Sequence, residues 1–394
     1  MKPLRVLVPL FTAIRVVLNT TYRMVYPFLG VFQQGLGVSL QTMSIALTAR
    51  ALAGALGPFL ASVADSRGRK TGMLFGLSLY VLGIGSVVLW PSFPTFILAV
   101  IFATIGKYVF DPSMQALLGD RVPYEQRGLV MGLSELSWSL GFIVGVPLMG
   151  FLLARNGWVA PFPLLLALGA LALAAIAFTL PKESSGERAH FGALESLKLV
   201  FTSKPALLAL AMCMFISAGN EAINMVFGVW LEDSFGLKIA ALGAATAVIG
   251  LSELGGEALV VTLTDRLGKP RAVGLGLAAN SITAVTLPLL GSSVTGSFVG
   301  LFLFYITFEF TLVSSIPWVS EILPAGRATI MGANVAGHSL GRALAALVAT
   351  QVYTIVKQPN FPLDGIQGNV LTALIFNAIA FLAIYRLIRT TAKT

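Results

Sequence analysis

The sequence predicts an all-α membrane protein with twelve transmembrane helices in two six-helix bundles. Composition is the first observation: 56% of the residues are hydrophobic and 11% are charged, whereas soluble domains carry about a quarter charged residues. The second observation is an internal repeat, because Asp65-Ser66-Arg67-Gly68-Arg69-Lys70 returns half a chain later as Asp265-Arg266-Leu267-Gly268-Lys269. The third is that both stretches lie between long apolar runs.

Apolar segments of about 20 residues, bounded by charges, Pro and Gly, are typical of membrane-spanning helices. Six such segments in each half give the two halves the same orientation, which is typical of a parallel repeat. The predicted division is an N-terminal bundle over 1–180, a linker over 181–204 and a C-terminal bundle over 205–394. The spans are expected at about 6–32, 42–64, 72–90, 95–117, 128–154, 159–180, 205–231, 240–263, 272–290, 295–318, 328–355 and 368–388.

Basic residues concentrate in one alternate set of connections between the predicted spans. The positive-inside rule therefore places both termini and the linker in the cytoplasm. The net charge of +9 is explained by these connections, so a nucleic-acid partner is not expected. We expect a monomeric, multi-pass protein of the plasma membrane, which is the inner membrane in a Gram-negative cell. The opposite connections hold Arg155, Lys238 and Lys357.

The stretch Asp65-x-x-Gly68-Arg69-Lys70 resembles the signature loop of the major facilitator superfamily, and its second copy lies between the eighth and ninth spans, as in that family. The resemblance implies the major facilitator fold, with two bundles related by a pseudo-twofold axis. It also implies a cytoplasmic gate, in which Arg69 pairs with an acid on a neighbouring helix end. Charges that merely fix topology are the alternative interpretation. The predicted gate residues are Asp65, Gly68, Arg69 and Asp265.

The fifth span contains Gly141-x-x-x-Gly145-Val146-Pro147-x-x-Gly150. This pattern resembles the glycine-rich motif associated with antiporters of the same family, which implies export. Pro147 is expected to kink or loosen the helix, and the glycines are expected to let neighbouring helices approach closely. Ordinary small-residue packing explains the same pattern, so export and uptake both stay open on this motif.

Charged residues inside the predicted spans are candidates for a binding site. Each costs at least about 2.5–3.5 kcal/mol at the bilayer centre, so it should face a cavity or a partner. By resemblance, spans 1, 4, 7 and 10 line a central cavity. The basic candidates, expected to attract an anion or a polar headgroup, are Arg15, Arg23, Lys107 and Arg342.

The acidic candidates are expected to carry a proton, because a carboxyl group in a low-dielectric site can bind and release one near neutral pH. Glu221 or Glu309 is the first choice and Asp111 the third, while Asn224 is a candidate for binding polar groups of a substrate. Structural ion pairs are the alternative for these charges. Lys107 and Asp111, one helical turn apart, are expected to pair.

These features predict a secondary active transporter that works by alternating access, with proton-coupled export of a small amphiphilic or anionic compound. Proton- or sodium-coupled uptake of a metabolite is one alternative, and a lipid-handling or receptor protein on a transporter scaffold is another. The expected partners are a small-molecule substrate, protons and membrane lipids. No Gly-x-x-x-x-Gly-Lys-Ser/Thr loop occurs, and neither a His/Cys cluster nor an enzymatic motif is recognised, so no cofactor, metal or catalysis is expected.

Overall fold

The computed structural model describes residues 4–56, 68–122, 127–181, 198, 200–323, 327–358, 363 and 365–391. In these ranges the regular structure is helical and no strand occurs. The helices are α1 Leu4–Arg23, α2 Leu29–Leu36, α3 Leu40–Ala55, α4 Arg69–Leu89, α5 Phe93–Arg121, α6 Arg127–Leu140, a π-helical segment Gly141–Gly145, α7 Val146–Asn156, α8 Pro161–Thr179, α9 Lys204–Asn224, α10 Phe227–Phe235, α11 Ile239–Leu267, α12 Lys269–Leu290, α13 Val294–Ile322, α14 Arg327–Val356 and α15 Gly365–Thr391.

The number of membrane spans agrees with the sequence. Within the described residues, eleven helices are long and apolar enough to cross a membrane, and the bent pair α2 and α3, whose axes differ by 113°, makes a twelfth when it is counted as one span. The all-α membrane fold class is therefore confirmed. Residues 57–67, which include the end of the predicted second span and Asp65, lie outside the described part of the chain.

The first predicted span is not one continuous helix. α1 ends at Arg23, and a turn over residues 24–28 separates it from α2. Pro27 lies in that turn and has no N–H to continue a helical ladder. The seventh span breaks in the same way, because α9 ends at Asn224 and α10 begins at Phe227. Two predicted site residues, Arg23 and Asn224, are thus the last residues of their helices.

The repeat extends to the way in which helices begin. Gly68 and Gly268 precede α4 and α12 with φ of 93° and 80°, a region that residues with a Cβ rarely adopt. Ser92 and Ser293 precede α5 and α13, and the side chain of each accepts a hydrogen bond from a backbone N–H of the first turn. Both halves therefore use the same local signals at the same points.

The helices pack into two compact units that differ from the predicted bundles. α3 belongs to unit 2. The first turns of α11 belong to unit 1, and there the Thr246 hydroxyl donates to the Phe142 carbonyl at 3.3 Å. The division into bundles over 1–180 and 205–394 stays a prediction. Unit 1 comprises Met1–Ser39, Leu56–Arg188 and Lys238–Gly250, and unit 2 comprises Leu40–Ala55, Ala189–Leu237 and Leu251–Thr394.

The fifth span loosens where the sequence predicts it. Gly141–Gly145 is π-helical, and the Val146 N–H, one residue before Pro147, bonds to the Gly141 carbonyl. π-helical turns inside α-helices are uncommon and are frequent at functional sites. A Cβ on Gly145 would overlap the Thr20 side chain of α1, so the glycine lets the loosened turn lie against the first span.

Close helix contact gives a stability prediction. A Cβ on Gly76 of α4 would lie 2.5 Å from the Gly106 carbonyl oxygen of α5, whereas a Cβ on Gly274 of α12 would meet nothing within 4 Å. We expect Gly76→Ala to lower the free energy of unfolding by about 1–3 kcal/mol, because two backbones must separate. Gly274→Ala, the matched control, should be neutral or stabilising by roughly 0.5–1 kcal/mol. Thermal unfolding in detergent measures both, and equal melting temperatures would contradict the close crossing.

Candidate functional site

Arg15 is the centre of a buried ion-pair cluster in unit 1. Its Nε lies 3.1 Å from Asp111 Oδ1, and its two terminal nitrogens lie 2.9 and 3.0 Å from Glu135 Oε1 and Oε2. Nη1 also donates to the Ser134 carbonyl at 2.7 Å. The Arg15 side chain is 4% exposed. A single guanidinium therefore joins α1, α5 and α6.

Lys107 completes the neutralisation of Asp111. Its Nζ lies 2.5 Å from Asp111 Oδ2, so each carboxylate oxygen faces a different cation. The predicted pairing of these two residues, one turn apart on α5, is confirmed. Gln115, one further turn along, donates its side-chain amide to Glu135 Oε1 at 3.2 Å. Three successive turns of α5 thus present polar groups to the cluster.

Arg23 lies at the end of α1 among aromatic rings rather than among carboxylates of the Arg15 cluster. The carbon of its guanidinium is 4.2 Å from the centroid of the Trp138 ring and 3.4 Å from that of Phe142. Its Nη1 donates to the Trp138 carbonyl at 3.1 Å. Lys107 Nζ lies 5.7 Å from the same Trp138 ring. Cations at such distances from an aromatic face are attracted by its quadrupole.

Several charged side chains lie close together in this region. Together, the Arg15 cluster and Arg23 contain three cations and two carboxylates. We call these five residues the cationic cluster, which consists of Arg15, Arg23, Lys107, Asp111 and Glu135. All but Glu135 are buried, and a cation held in a low-dielectric interior attracts anions more strongly than it would in water.

In unit 2, Glu221 is part of a hydrogen-bond chain with an amide and a hydroxyl group. The Asn224 amide donates to Glu221 Oε2 at 3.1 Å, and the Tyr305 hydroxyl donates to Asn224 Oδ1 at 2.6 Å. Glu221 is 2% exposed. The chain connects the last turn of α9 with α13. It brings together two of the predicted site residues.

The other two predicted residues of unit 2 lie on α13 and α14. Glu309 is buried one turn beyond Tyr305, and the α11 backbone approaches it closely, since a Cβ on Gly256 would lie 2.7 Å from Glu309 Cβ. Arg342 is half-buried on α14, one turn after His338. The His338 Nδ1 is 2.7 Å from the Ser217 hydroxyl of α9.

Three of the four predicted gate residues are described. Gly68 begins α4, Arg69 is buried as its first residue, and Asp265 is exposed near the end of α11. In the second copy of the loop, Lys269 forms an ion pair with Glu321 of α13, which is the kind of pairing expected for Arg69. Asp65 lies outside the described residues.

The side chain of Lys70, beside Arg69, caps the C-terminal end of α8. Its Nζ donates to the Ala177 carbonyl at 2.7 Å and also to the Leu180 carbonyl. The last carbonyls of a helix have no intrahelical partner and carry partial negative charge, so a cation stabilises them. The signature loop therefore fixes the start of α4 against the end of α8.

Sequence reasoning missed three residues of the cationic cluster and its surroundings. Glu135 is not among the acids that the sequence assigns to the site, and no sequence pattern ties the rings of Trp138 and Phe142 to Arg23. Their spacing along the fifth span, three and then four residues, places them on one helical face. Which face it is depends on the rotation of the helix, which the sequence does not specify.

The described helices and the buried charges that they hold are typical of a polytopic membrane transporter. Structural needs alone are met by apolar and small residues in membrane helices, whereas charges within spans mark substrate and ion pathways. The resemblance carried by the two signature loops agrees with this class.

The chain belongs to the Major Facilitator Superfamily, whose sequence profile matches residues 12–346. Members of this family transport small molecules across membranes. The chain is 26% identical over 388 residues to the uncharacterized MFS-type transporter YceJ of Bacillus subtilis (strain 168), covering 98% of this chain and 96% of that protein. It is a multi-pass membrane protein of this family.

Two further relatives, which match a smaller part of the chain, have names that state an activity. The cis,cis-muconate transport protein of Acinetobacter baylyi is 24% identical over 230 residues, which cover 54% of this chain and 53% of that protein. The multi-drug resistance efflux pump PmrA homolog of Lactococcus lactis is 26% identical over 273 residues, which cover 66% of each chain.

Solved structures confirm the fold. A bacterial homolog of the human lysosomal transporter Spinster superposes with a TM-score of 0.81 at 17% identity, covering 99% of this chain and 98% of that one. A D-xylose-proton symporter superposes with a TM-score of 0.77 at 14% identity and 96% coverage of both chains. The expected major facilitator fold is therefore confirmed.

The two carboxylates of the Arg15 cluster should differ in their contribution to stability. Asp111 is buried between two cations, so Asp111→Asn leaves uncompensated buried charge and should cost about 3–5 kcal/mol. The Glu135 side chain is 46% exposed, so Glu135→Gln should cost about 1 kcal/mol or less. Thermal unfolding in detergent compares the two variants. Equal losses would mean that Asp111 is not held as the contacts indicate.

Proposed function

We propose that this protein is a secondary active transporter that exports a small anionic or amphiphilic compound in exchange for protons by alternating access. The observation that carries the proposal is the cationic cluster, where three cations meet two carboxylates within membrane spans. Membership of a family of small-molecule transporters supports the general function. The anionic substrate, the proton and the direction are our inferences.

Arg23 is the best candidate for contact with the anionic group. Because Trp138 and Phe142 lie near its guanidinium carbon, the group is held in a fixed orientation. A planar guanidinium held in this way recognises a carboxylate or phosphate through its N–H edges. Lys107, near the same tryptophan, adds a second positive charge. The name of one relative, a cis,cis-muconate transport protein, supports an organic anion as the substrate.

Glu221 and Glu309 are the proposed proton carriers. Both are buried in unit 2, and Glu221 accepts from the neutral Asn224 amide. Carboxyl groups within membrane spans are typical of proton pathways in transporters. Loading and release of a proton therefore change the charge of the site by one unit, which is what coupling requires.

The proposed topology has both termini in the cytoplasm, with Asp65, Gly68, Arg69 and Asp265 at a cytoplasmic gate. The Lys269–Glu321 ion pair supports the idea that these loops fasten helix ends, and such pairs break when a cavity opens. Export is favoured by the resemblance of the glycine-rich fifth span to antiporters. The name of the PmrA homolog, an efflux pump, also supports export.

The anion site is tested by replacing one stacked arginine and comparing it with another. We expect Arg23→Gln to weaken binding of cis,cis-muconate about tenfold or more, since a charge-assisted hydrogen bond is lost. Arg155 stacks on the exposed Phe151 ring at 4.1 Å, outside the cationic cluster, so Arg155→Gln is the matched control. Equilibrium binding to the purified protein and counterflow in proteoliposomes measure the effect. Unchanged muconate binding in Arg23→Gln would remove Arg23 from the site.

Proton coupling is tested in the same vesicles. Glu221→Gln and Glu309→Gln should each lose transport driven by a pH gradient and keep substrate exchange at equal pH, because a glutamine cannot carry a proton. Asp233→Asn, which removes a partly exposed carboxylate paired with Lys357 outside the proposed gate, is the control. If neither buried variant slows gradient-driven transport while binding persists, the proton is carried elsewhere. The direction follows from comparing right-side-out with everted membrane vesicles.

A further inference from the structure

The break in the seventh span changes the hydrogen bonds of the α9 backbone. In a continuous helix the Val226 N–H would bond to the Ala222 carbonyl, four residues earlier. Here it bonds to the Ile223 carbonyl at 3.0 Å instead. Ala222 is fully buried, and a buried carbonyl needs a hydrogen-bond partner, above all in a membrane, where water is absent. The break therefore requires a donor from another helix.

Asn369 of α15 supplies that donor. Its amide nitrogen Nδ2 lies 2.7 Å from the Ala222 carbonyl oxygen and 3.0 Å from the Ala349 carbonyl oxygen of α14. Both carbonyls can only accept, so the NH2 group of the amide, and not its oxygen, must face them. The Asn369 side chain is fully buried. A single amide thus joins α9, α14 and α15 at the break.

The other side of the same amide indicates why the residue is an asparagine. Asn369 Oδ1 is buried and has no hydrogen-bond partner among the residues that the structure describes. A buried acceptor without a partner is destabilising, and a leucine of similar shape would avoid that cost. The asparagine is therefore explained by its two N–H groups, which bond to backbone carbonyls.

α15 comes close enough for this contact because α9 has a glycine opposite it. Asn369, Ala373 and Asn377 follow each other at intervals of four residues, on one face of α15. A Cβ on Gly219 would lie 2.4 Å from Asn377 Oδ1 and 3.3 Å from the Ala373 carbonyl oxygen. The same face of α15 thus meets α9 at Gly219 and, about one turn further along, at Ala222.

The first half of the chain has a different device at its equivalent break. Arg23-Met24-Val25-Tyr26-Pro27 is matched by Asn224-Met225-Val226-Phe227-Gly228, so a glycine occupies the place of the proline. Proline has no N–H and its ring blocks a continuing helix, whereas glycine keeps its N–H. α8, the counterpart of α15, contains neither Asn nor Gln over Pro161–Thr179. The half with the proline lacks the amide, and the half with the amide lacks the proline.

We propose that Asn369 is a positioning residue that holds the seventh span broken. Its amide takes the Ala222 carbonyl in place of the Val226 N–H, so α9 ends at Asn224 and does not continue into α10. Without the amide, the carbonyl regains the Val226 N–H as its donor and the span becomes continuous. The consequence for transport rests on the proposed function, because the turn that is held in this way carries Glu221.

The break sets the geometry around the proposed proton carrier. Val226 has φ of −119° and ψ of −9°, whereas a helical residue has about −63° and −42°, so α10 is rotated relative to a continuation of α9. Phe227, which follows, packs edge-on against the Tyr305 ring at 6.4 Å between centroids. The Tyr305 hydroxyl donates to Asn224, whose amide donates to Glu221. A continuous helix would move Phe227 and disturb this chain.

Hydrogen exchange at the break tests the inference without a substrate. The first N–H groups of a helix have no intrahelical acceptor, so the amides of residues 227–229 gain one when the span becomes continuous. We expect Asn369→Leu to slow their exchange about fivefold or more. Mass spectrometry of a peptide over residues 225–230 of the purified protein measures the rate. Asn377→Leu is the matched control, because this asparagine of α15 is also buried but donates to side chains of α12. It should keep the natural rate.

A proline at Gly228 separates this role from simple packing. Gly228 lies in the first turn of α10, where a proline is tolerated, and it corresponds to Pro27 of the first break. Gly228→Pro alone should leave exchange of the remaining amides and transport unchanged. Added to Asn369→Leu, it should restore the natural exchange rate, because its ring blocks the continuous helix. A side chain that only packs between three helices would not be rescued by this proline.

Transport in proteoliposomes gives a second readout. Asn369→Leu should lower muconate transport driven by a pH gradient about tenfold or more, since small misplacements of interacting groups have effects of that size. The KM of muconate and its exchange at equal pH should stay unchanged, because the proposed anion site lies in unit 1. Gly228→Pro should restore the gradient-driven rate of Asn369→Leu.

Three results would overturn the inference: natural exchange in Asn369→Leu, faster exchange in it, or slowed exchange that Gly228→Pro does not restore. If Asn369→Leu does not fold, the yield of folded protein replaces the exchange rate. Gly228→Pro should then recover the yield. A double variant that stays unfolded, while Gly228→Pro alone folds, would also overturn the inference.

The exchange experiment is independent of the proposed function. Slowed exchange that Gly228→Pro restores, in a protein without proton-driven muconate transport, would contradict the proposed function and leave Asn369 as the residue that holds the break. Proton-driven muconate transport that depends on Glu221, together with natural exchange in Asn369→Leu, would contradict this inference alone.

Discussion

The burial of Arg15 in a membrane span is the constraint on which unit 1 depends. A guanidinium in hydrocarbon is costly, and a buried charge that loses its partner is strongly destabilising. α5 and α6 must therefore lie where Asp111 and Glu135 reach it. This requirement fixes how far each helix is rotated about its own axis. Apolar packing against lipid alone would allow a wider range of rotations. The positions of Lys107 and Trp138 follow from those rotations.

In unit 2, amide side chains also join membrane helices. The Asn377 amide donates to Asn280 Oδ1 at 3.1 Å and to the Ser281 hydroxyl at 3.1 Å, while the Asn280 amide donates to the Phe304 carbonyl at 3.0 Å. These bonds join α12, α13 and α15. Amide bonds between membrane helices stabilise each contact modestly, and they leave the local charge unchanged.

The sequence predicts the parts of this structure that depend on local pattern. The apolar segments, the two signature loops and the pairing of Lys107 with Asp111 follow from composition and helical spacing. The partners of Arg15 do not, because they lie 96 and 120 residues away in the chain. A long apolar helix offers many rotations of similar hydrophobicity, so the face that carries a charge is decided by tertiary contact.

The fifth span illustrates the same limit. Its glycines and Pro147 predict a loosened helix, and the π-helical segment Gly141–Gly145 confirms it. A π-helical turn accommodates an extra residue, so it changes the angular relation between residues before and after it. The position of Phe142 against Arg23 lies within that turn and could not be read from α-helical spacing.

The two halves of the chain have matching helix caps and helix breaks, but the charged residues beside the breaks differ. The proposed function depends on this difference. α1 ends on Arg23 and α9 ends on Asn224, each followed by a break. At the first break stand a cation and aromatic rings, and at the second an amide that donates to Glu221. A duplicated scaffold with identical sites would bind the same group twice. Because the duplicated positions have diverged, we propose that one end of the repeat recognises the anion while the other handles the proton. The common backbone explains why both sites lie at equivalent helix breaks.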